Sequence, residues 1–131
     1  MAARRILVES SLIIDFFRKS NKEKAPLYHL FQLNEDLFIS TLTVYELLCG
    51  AKSDQLLIDT ENILKLFDIL EFDFASASKA AFLFKQLKRQ NKLIETIDIL
   101  IAATALTHEL EIATLNIGHF NRFPELKLVE S

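Results

Sequence analysis

The sequence predicts an α/β domain built on a largely parallel sheet. Short apolar runs of strand length alternate with longer segments whose apolar residues recur at helical spacing, and no repeat, linker or low-complexity stretch interrupts them. With 131 residues the chain is long enough for one core and short for two, so residues 1–131 are expected to form a single domain. Half of the residues are hydrophobic and eleven are Phe, a composition that excludes disorder.

Residues 4–8 read as a first strand, and Ser10 or Ser11 is placed to cap the helix in SLIIDFFRK, whose closing Arg18 and Lys19 suit the negative end of a helix. Residues 24–33 (KAPLYHLFQL) read as a second helix with Pro26 in its first turn. LFIS at 37–40 is a second strand, and TVYELLCGA a helix that stops near Gly50. Residues 55–66 have helical spacing, whereas ILEFDF at 69–74 alternates like a strand. A long helix over 75–92 places Ala80, Leu83, Phe84 and Leu87 on one face and Lys79, Lys85, Lys88 and Arg89 on the other. An apolar helix at 96–110, a strand at 111–115, a turn at 118–123 and a last strand at 126–130 complete the chain.

Composition narrows the functional classes. The longest apolar or small stretch, ILIAATAL at 99–106, falls far short of the roughly 20 residues of a membrane helix. MAARRILVES is too weakly apolar for a signal peptide, so a soluble, cytoplasmic protein is expected. The single Cys49 forms no internal disulfide and is expected to be a buried helical thiol rather than a nucleophile. At a net charge of −3, any polyanion site must be a local patch.

Glu9, Asp15, Glu46 and Asp98 stand out because each is embedded in apolar sequence: LVESSL, LIIDFF, TVYELL and TIDILIAA. Desolvating an ionised carboxylate is costly unless a partner or cation compensates. Local causes are available. Thr43 and Glu46 have capping-box spacing, and Asp98 in a first helical turn gains about 0.3–1 kcal/mol from the helix dipole. Glu9 could simply end a strand, and Asp15 could bond backbone N–H groups or pair with Arg18.

The joint arrangement points further. Glu9 lies just past the first strand, while Glu46 and Asp98 fall near the starts of helices that follow the second strand and the long basic helix. In an open α/β sheet such positions share one edge. Carboxylates gathered there repel unless a cation lies between them, and hard oxygen donors suit Mg²⁺ or Mn²⁺. Asp15, about one and a half turns into its helix, moves away from that edge and reads as structural.

Three stretches, ILVESSLIIDFF, ISTLTVYELLCGA and IDILIAATALTHELEIATLNIGHF, resemble those of the PIN-domain ribonucleases, most closely the VapC-type toxins of prokaryotic toxin–antitoxin pairs. The likeness runs along nearly the whole chain and is most specific at Thr43-Val44-Tyr45-Glu46 and at Asp98-Ile99-Leu100-Ile101-Ala102-Ala103. It implies a PIN-like three-layer domain, an endoribonuclease dependent on Mg²⁺ or Mn²⁺, a VapB-type antitoxin that plugs the site, and a homodimer. It places Glu9, Glu46 and Asp98 as metal ligands, Ser11 and Thr114 as hydrogen-bonding supports, and Asn116 in the catalytic set where some members have Asp. His119 stands where many members have Asp, as a neutral ligand, a phosphate contact or a turn residue.

Glu9 departs from the family's Asp by one carbon–carbon bond, about 1.5 Å, against a placement tolerance of roughly 0.5 Å. The expected activity is therefore metal-assisted RNA hydrolysis, weakened to the extent that the backbone or metal does not absorb the longer Glu9, with a non-cleaving RNA- or antitoxin-binding relative as the alternative. Cations for RNA are Arg18, Lys19, Lys22 and Lys24, and Lys85, Lys88, Arg89 and Lys92, unless these are ordinary solvated faces. Phe16, Phe17, Tyr28 and Phe31 form a candidate antitoxin groove or else pack in the core. A receiver-type signalling domain fits poorly, since Asp73 lies within ILEFDF and no suitable Lys follows.

Overall fold

A computed structural model describes residues 2–129. Strands β1 (Arg5–Val8), β2 (Asp36–Ser40), β3 (Asp68–Leu70) and β4 (Glu111–Ala113) form one sheet in the order β3-β2-β1-β4, with every pairing parallel. Helices α1 (Ser10–Arg18), α2 (Pro26–Gln32), α3 (Thr41–Gly50), α4 (Asp54–Leu64), α5 (Phe74–Arg89), α6 (Thr96–Thr107) and α7 (Ile117–Phe120) surround it, with a single 3-10 turn at Lys22–Lys24 before α2.

The two-residue period of the strands divides the apolar residues between two cores. Ile6, Val8, Leu37, Ile39 and Ala113 pack with Leu12, Ile13, Leu27, Leu30, Leu47 and Ile63 of α1–α4. Leu7 and Ile112 pack on the other side with Ala80, Leu83, Leu87, Ile99, Ala103 and Phe120 of α5–α7. A central strand such as β1 must be apolar on both faces, which is why RILV reads as a continuous run. At ~1.5–3 kcal/mol for each fully buried aliphatic or aromatic side chain, the two layers hold the sheet between them.

Several local expectations are corrected. Neither serine caps α1: the helix begins at Ser10, and the Glu9 carboxylate takes the cap, accepting the Ser11 N–H at 3.2 Å. The Thr43–Glu46 capping box does not form either. Helix α3 starts two residues earlier, capped by Ser40, whose hydroxyl accepts the Leu42 N–H at 3.1 Å. Thr43 is buried inside the helix with its hydroxyl unpartnered, and Glu46 moves into the second turn, out of reach of any cap.

The ILEFDF alternation pairs only as far as Leu70, because Asp73 leaves the strand to cap α5, accepting the Ser76 N–H at 2.8 Å. Phe74 thereby becomes a helical residue and is 89% exposed. The expected last strand contracts to a bridge between Leu128 and Ile112, and Glu130 lies outside the described residues. The 118–123 turn begins as part of α7. Cys49 is exposed rather than buried, since α3 turns Thr43 and Leu47 inward and Cys49 lies two residues beyond. Phe67, Phe120 and Phe123 are buried, but Phe74, Phe82 and Phe84 are exposed, so the surplus of Phe goes to the surface. Among the described residues no helix is long and apolar enough to cross a membrane.

Candidate active site

The chain leaves β1 towards β2 and β3 and returns on the opposite side as β4, so the crossover direction reverses between β1 and β4. A crevice opens at such a reversal, beyond the strands' C-terminal ends. The residues immediately past these two strands are Glu9 and Thr114, and the Glu9 N–H donates to Ala113 O at 2.9 Å, which fastens the edge.

Glu9 is 3% exposed and its carboxylate is surrounded by donors. Oε1 accepts the hydroxyls of Ser11 and Thr114, each at 2.5 Å, while Oε2 accepts the Ser10 hydroxyl at 2.8 Å besides the capped N–H. The hydroxyls are themselves aimed by backbone: Leu115 N–H donates to Ser11 Oγ at 2.8 Å and Asn116 N–H to Thr114 Oγ1 at 2.9 Å. Ser11 and Thr114 therefore hold Glu9 as supports, and the extra methylene carries the carboxylate into their cradle.

Glu46 is partly buried and its pKa is pushed up to about 7, first by burial, then by the negative charges of Glu9 and Asp98, and less by Glu95. The neighbouring Ser10 hydroxyl works in the opposite direction. Asp98, 5% exposed, is also raised by burial and by Glu9 and Glu95. His119 opposes that shift, its Nδ1–H donating to Asp98 Oδ2 at 2.6 Å. Three carboxylates from β1–α1, α3 and α6 thus sense one another electrostatically, and a cation among them would relieve the repulsion. Among the described residues no three His, Cys, Asp or Glu side chains converge at metal-ligating spacing as they stand. The donor chemistry fits a hard divalent cation, with Glu9 drawn into its hydroxyl cradle.

The other anticipated residues separate. His119 engages Asp98 and is not a free turn residue. Asn116 is exposed and joins through its backbone N–H, with no side-chain hydrogen bond among the described residues. Asp15 pairs with Lys19, one helical turn on, at 3.4 Å, and not with Arg18. Arg18 and Glu46 line the same cavity of about 290 Å³. Lys85 and Arg89 are exposed on α5. Phe16, Phe17, Tyr28 and Phe31 line one groove of about 480 Å³ that Leu56 and Ile63 of α4 complete. Lys22 closes the end of α1, donating to the carbonyls of Phe16 and Phe17 at 2.6 and 2.9 Å. Sequence reasoning missed Glu95 and treated Ser10 only as a cap; the signal was their position, one beside Glu9 and the other immediately before the Asp98 helix.

The chain belongs to the PIN-domain family, whose model matches residues 6–126. It is 31% identical over 131 residues to Ribonuclease VapC of Rickettsia bellii, covering 95% of this chain and 94% of that protein. It is 33% identical over 128 residues to Ribonuclease VapC1 of Methanocaldococcus jannaschii, covering 95% and 85%. Among solved structures, a toxin–antitoxin complex from Klebsiella pneumoniae matches with a TM-score of 0.75 at 26% identity, over 92% of this chain and 94% of that one.

Proposed function

We infer that this protein is an endoribonuclease toxin of the VapC kind, which hydrolyses RNA phosphodiester bonds with a Mg²⁺ or Mn²⁺ ion held by Glu9, Glu46 and Asp98. The observation that carries the reading is the gathering of three half-buried or buried carboxylates at the sheet's crossover edge, where burial first and then the charges of Glu9 and Asp98 raise the Glu46 pKa to about 7. The ribonuclease relatives supply the reaction class.

When bound, the cation supplies charge stabilisation at the phosphate and a water of lowered pKa. The chain's own residues prepare the place. Ser10, Ser11 and Thr114 fix Glu9, and His119 occupies Asp98 Oδ2, leaving Oδ1 to face a ligand. Asn116 braces Thr114 through its N–H. Arg18, on the cavity wall shared with Glu46, meets a substrate phosphate, and Lys19, Lys85 and Arg89 extend the basic surface for RNA. The groove of Phe16, Phe17, Tyr28 and Phe31 receives an apolar helix of the cognate VapB-type antitoxin, a partnership that the Klebsiella complex supports. The family likeness extends the proposal to a homodimer.

The test is cleavage of RNA with Mn²⁺, with EDTA, and by Asp98→Asn. Cleavage that needs Mn²⁺ and disappears in Asp98→Asn is expected; metal-independent cleavage, or full activity of the variant, overturns the reading. A second reading, a PIN-fold protein that binds RNA or antitoxin without cleaving, is favoured by the saturated hydrogen bonding of Glu9. Absence of both Mn²⁺ binding and cleavage selects it.

A further inference from the structure

Arg122 follows α7 and belongs to none of the groups described so far. Its guanidinium makes three hydrogen bonds, all to backbone carbonyls. Nε–H donates to Gly118 O at 3.2 Å, and Nη1 donates to Lys92 O at 2.8 Å and to Leu93 O at 3.4 Å. Gly118 lies in α7, one residue before His119. Lys92 and Leu93 lie in the segment without helix or strand that leads from α5 into α6 and so to Asp98. One side chain therefore joins the two backbone segments that carry the His119–Asp98 hydrogen bond.

The two segments differ in how firmly the core holds them. Helix α6 buries Ile99, Ile101, Ala102, Ala103 and Ala105, so the backbone at Asp98 is fixed by packing. Helix α7 has four residues, far below the length at which a helix sustains itself, and Phe120 is its one buried residue. Phe120 within the turn and Phe123 just beyond it anchor the place of the turn in the core, which leaves its rotation to polar contacts. The ring of His119 has one hydrogen bond among the described residues, the one to Asp98. The approach to the turn is tied by the N–H groups of Leu115 and Asn116 to Ser11 Oγ and Thr114 Oγ1, and Arg122 adds a clasp that links Gly118 O in the turn itself to the segment ahead of α6.

We propose that Arg122 is a positioning residue of the acidic site: by clasping α7 to the segment before α6, it holds the His119 imidazole on Asp98 and so sets the direction in which Asp98 presents its remaining oxygen to a divalent cation. The clause concerning the cation rests on the function proposed above. An exposed guanidinium also suggests a phosphate contact; here Nε and Nη1 are committed to carbonyls in the planar fork that Arg alone provides, which leaves Nη2 for a phosphate and makes that reading an outcome of the test.

The experiment compares the wild type with Arg122→Ala, Arg122→Lys, His119→Phe, His119→Asn and the double variant Arg122→Ala/His119→Phe. Three readouts are taken: the hydrogen-bonded Nδ1–H proton of His119 by NMR in metal-free protein, Mn²⁺ affinity by EPR, and kcat against KM for RNA. The wild type is expected to show the Nδ1–H signal and Arg122→Ala to lose it. Mn²⁺ binding should weaken about 10-fold in Arg122→Ala and roughly 10–100-fold in His119→Phe, the range for groups that orient a ligand. Rate loss should fall on kcat with KM unchanged. The double variant should be no worse than His119→Phe alone, since both act through one bond. His119→Asn, which keeps a donor near the Nδ1 position, should recover part of the loss, and Arg122→Lys, which keeps charge without the fork, should fall between wild type and Arg122→Ala.

Retention of the Nδ1–H signal in Arg122→Ala, additive losses in the double variant, or Arg122→Lys equal to wild type overturns the proposal. A raised KM with a flattened salt dependence in Arg122→Ala also overturns it and makes the guanidinium a phosphate contact. If the wild type neither binds Mn²⁺ nor cleaves while the Nδ1–H signal responds as stated, the proposed function fails and the clasp stands.

Discussion

Replacing Glu46 by Gln should stabilise the metal-free protein at alkaline pH. The native carboxyl has its pKa raised from 4.5 to about 7, so the folded state holds this proton more tightly than the unfolded chain does. Its contribution to stability is fully present below the unfolded value and is lost as pH rises through the folded one. A rise from 4.5 to about 7 corresponds to ~3 kcal/mol, and discounting for the partial exposure of Glu46 leaves ~1–2 kcal/mol. Gln keeps the shape without the charge. Urea unfolding in EDTA at about pH 5 and about pH 8 should therefore show the two proteins close at the lower pH and Glu46→Gln ahead at the higher. Saturating Mn²⁺ should reverse the order at the higher pH, because ligand binding adds RT ln(1 + [L]/Kd) to the protein that holds the ion. Equal pH slopes in EDTA, or a Gln variant less stable at the higher pH, would refute the claim that burial together with Glu9 and Asp98 raises the Glu46 pKa.

Three further outcomes follow. Ser40→Ala should cost about 1 kcal/mol of stability by thermal or chemical unfolding, whereas Thr43→Val, which removes a hydroxyl with no partner, should be neutral or slightly stabilising; the opposite ranking would restore the capping box. Arg18→Glu should weaken RNA binding and reduce its salt dependence, measured by titration at several salt concentrations. Tyr28→Glu should abolish capture of the cognate antitoxin in a pull-down while leaving Mn²⁺-dependent cleavage intact, and loss of cleavage with antitoxin binding retained would move the partner elsewhere.

The architecture was readable wherever local pattern and burial agree. RILV, LFIS and the apolar helix from Thr96 declare themselves because most of their apolar positions are buried. The failures arise where a single side chain redirects the backbone. Asp73 ends an alternating run by capping α5, and pairing of Ser40 with Leu70 fixes where β2 stops and hence which hydroxyl caps α3. Glu9, Glu46 and Asp98 could be found as acids in apolar surroundings. The role of His119 could not, since its partner lies 21 residues away and the contact exists only once a four-residue helix has been seated. Glu95 escaped notice because its effect on Glu46 and Asp98 is purely electrostatic.

The bond between Glu9 and Thr114 spans 105 residues, and β4 is the last strand of the sheet to leave the ribosome although it pairs with the first. A nascent chain that has made Glu9, Glu46 and even Asp98 still lacks the hydroxyl and the strand that seat the first of these acids. The carboxylate cradle therefore closes only after β4 and Thr114 have been made. A copy that stops short of Thr114 lacks an assembled centre, so the proposed activity waits on the strand that pairs with the first.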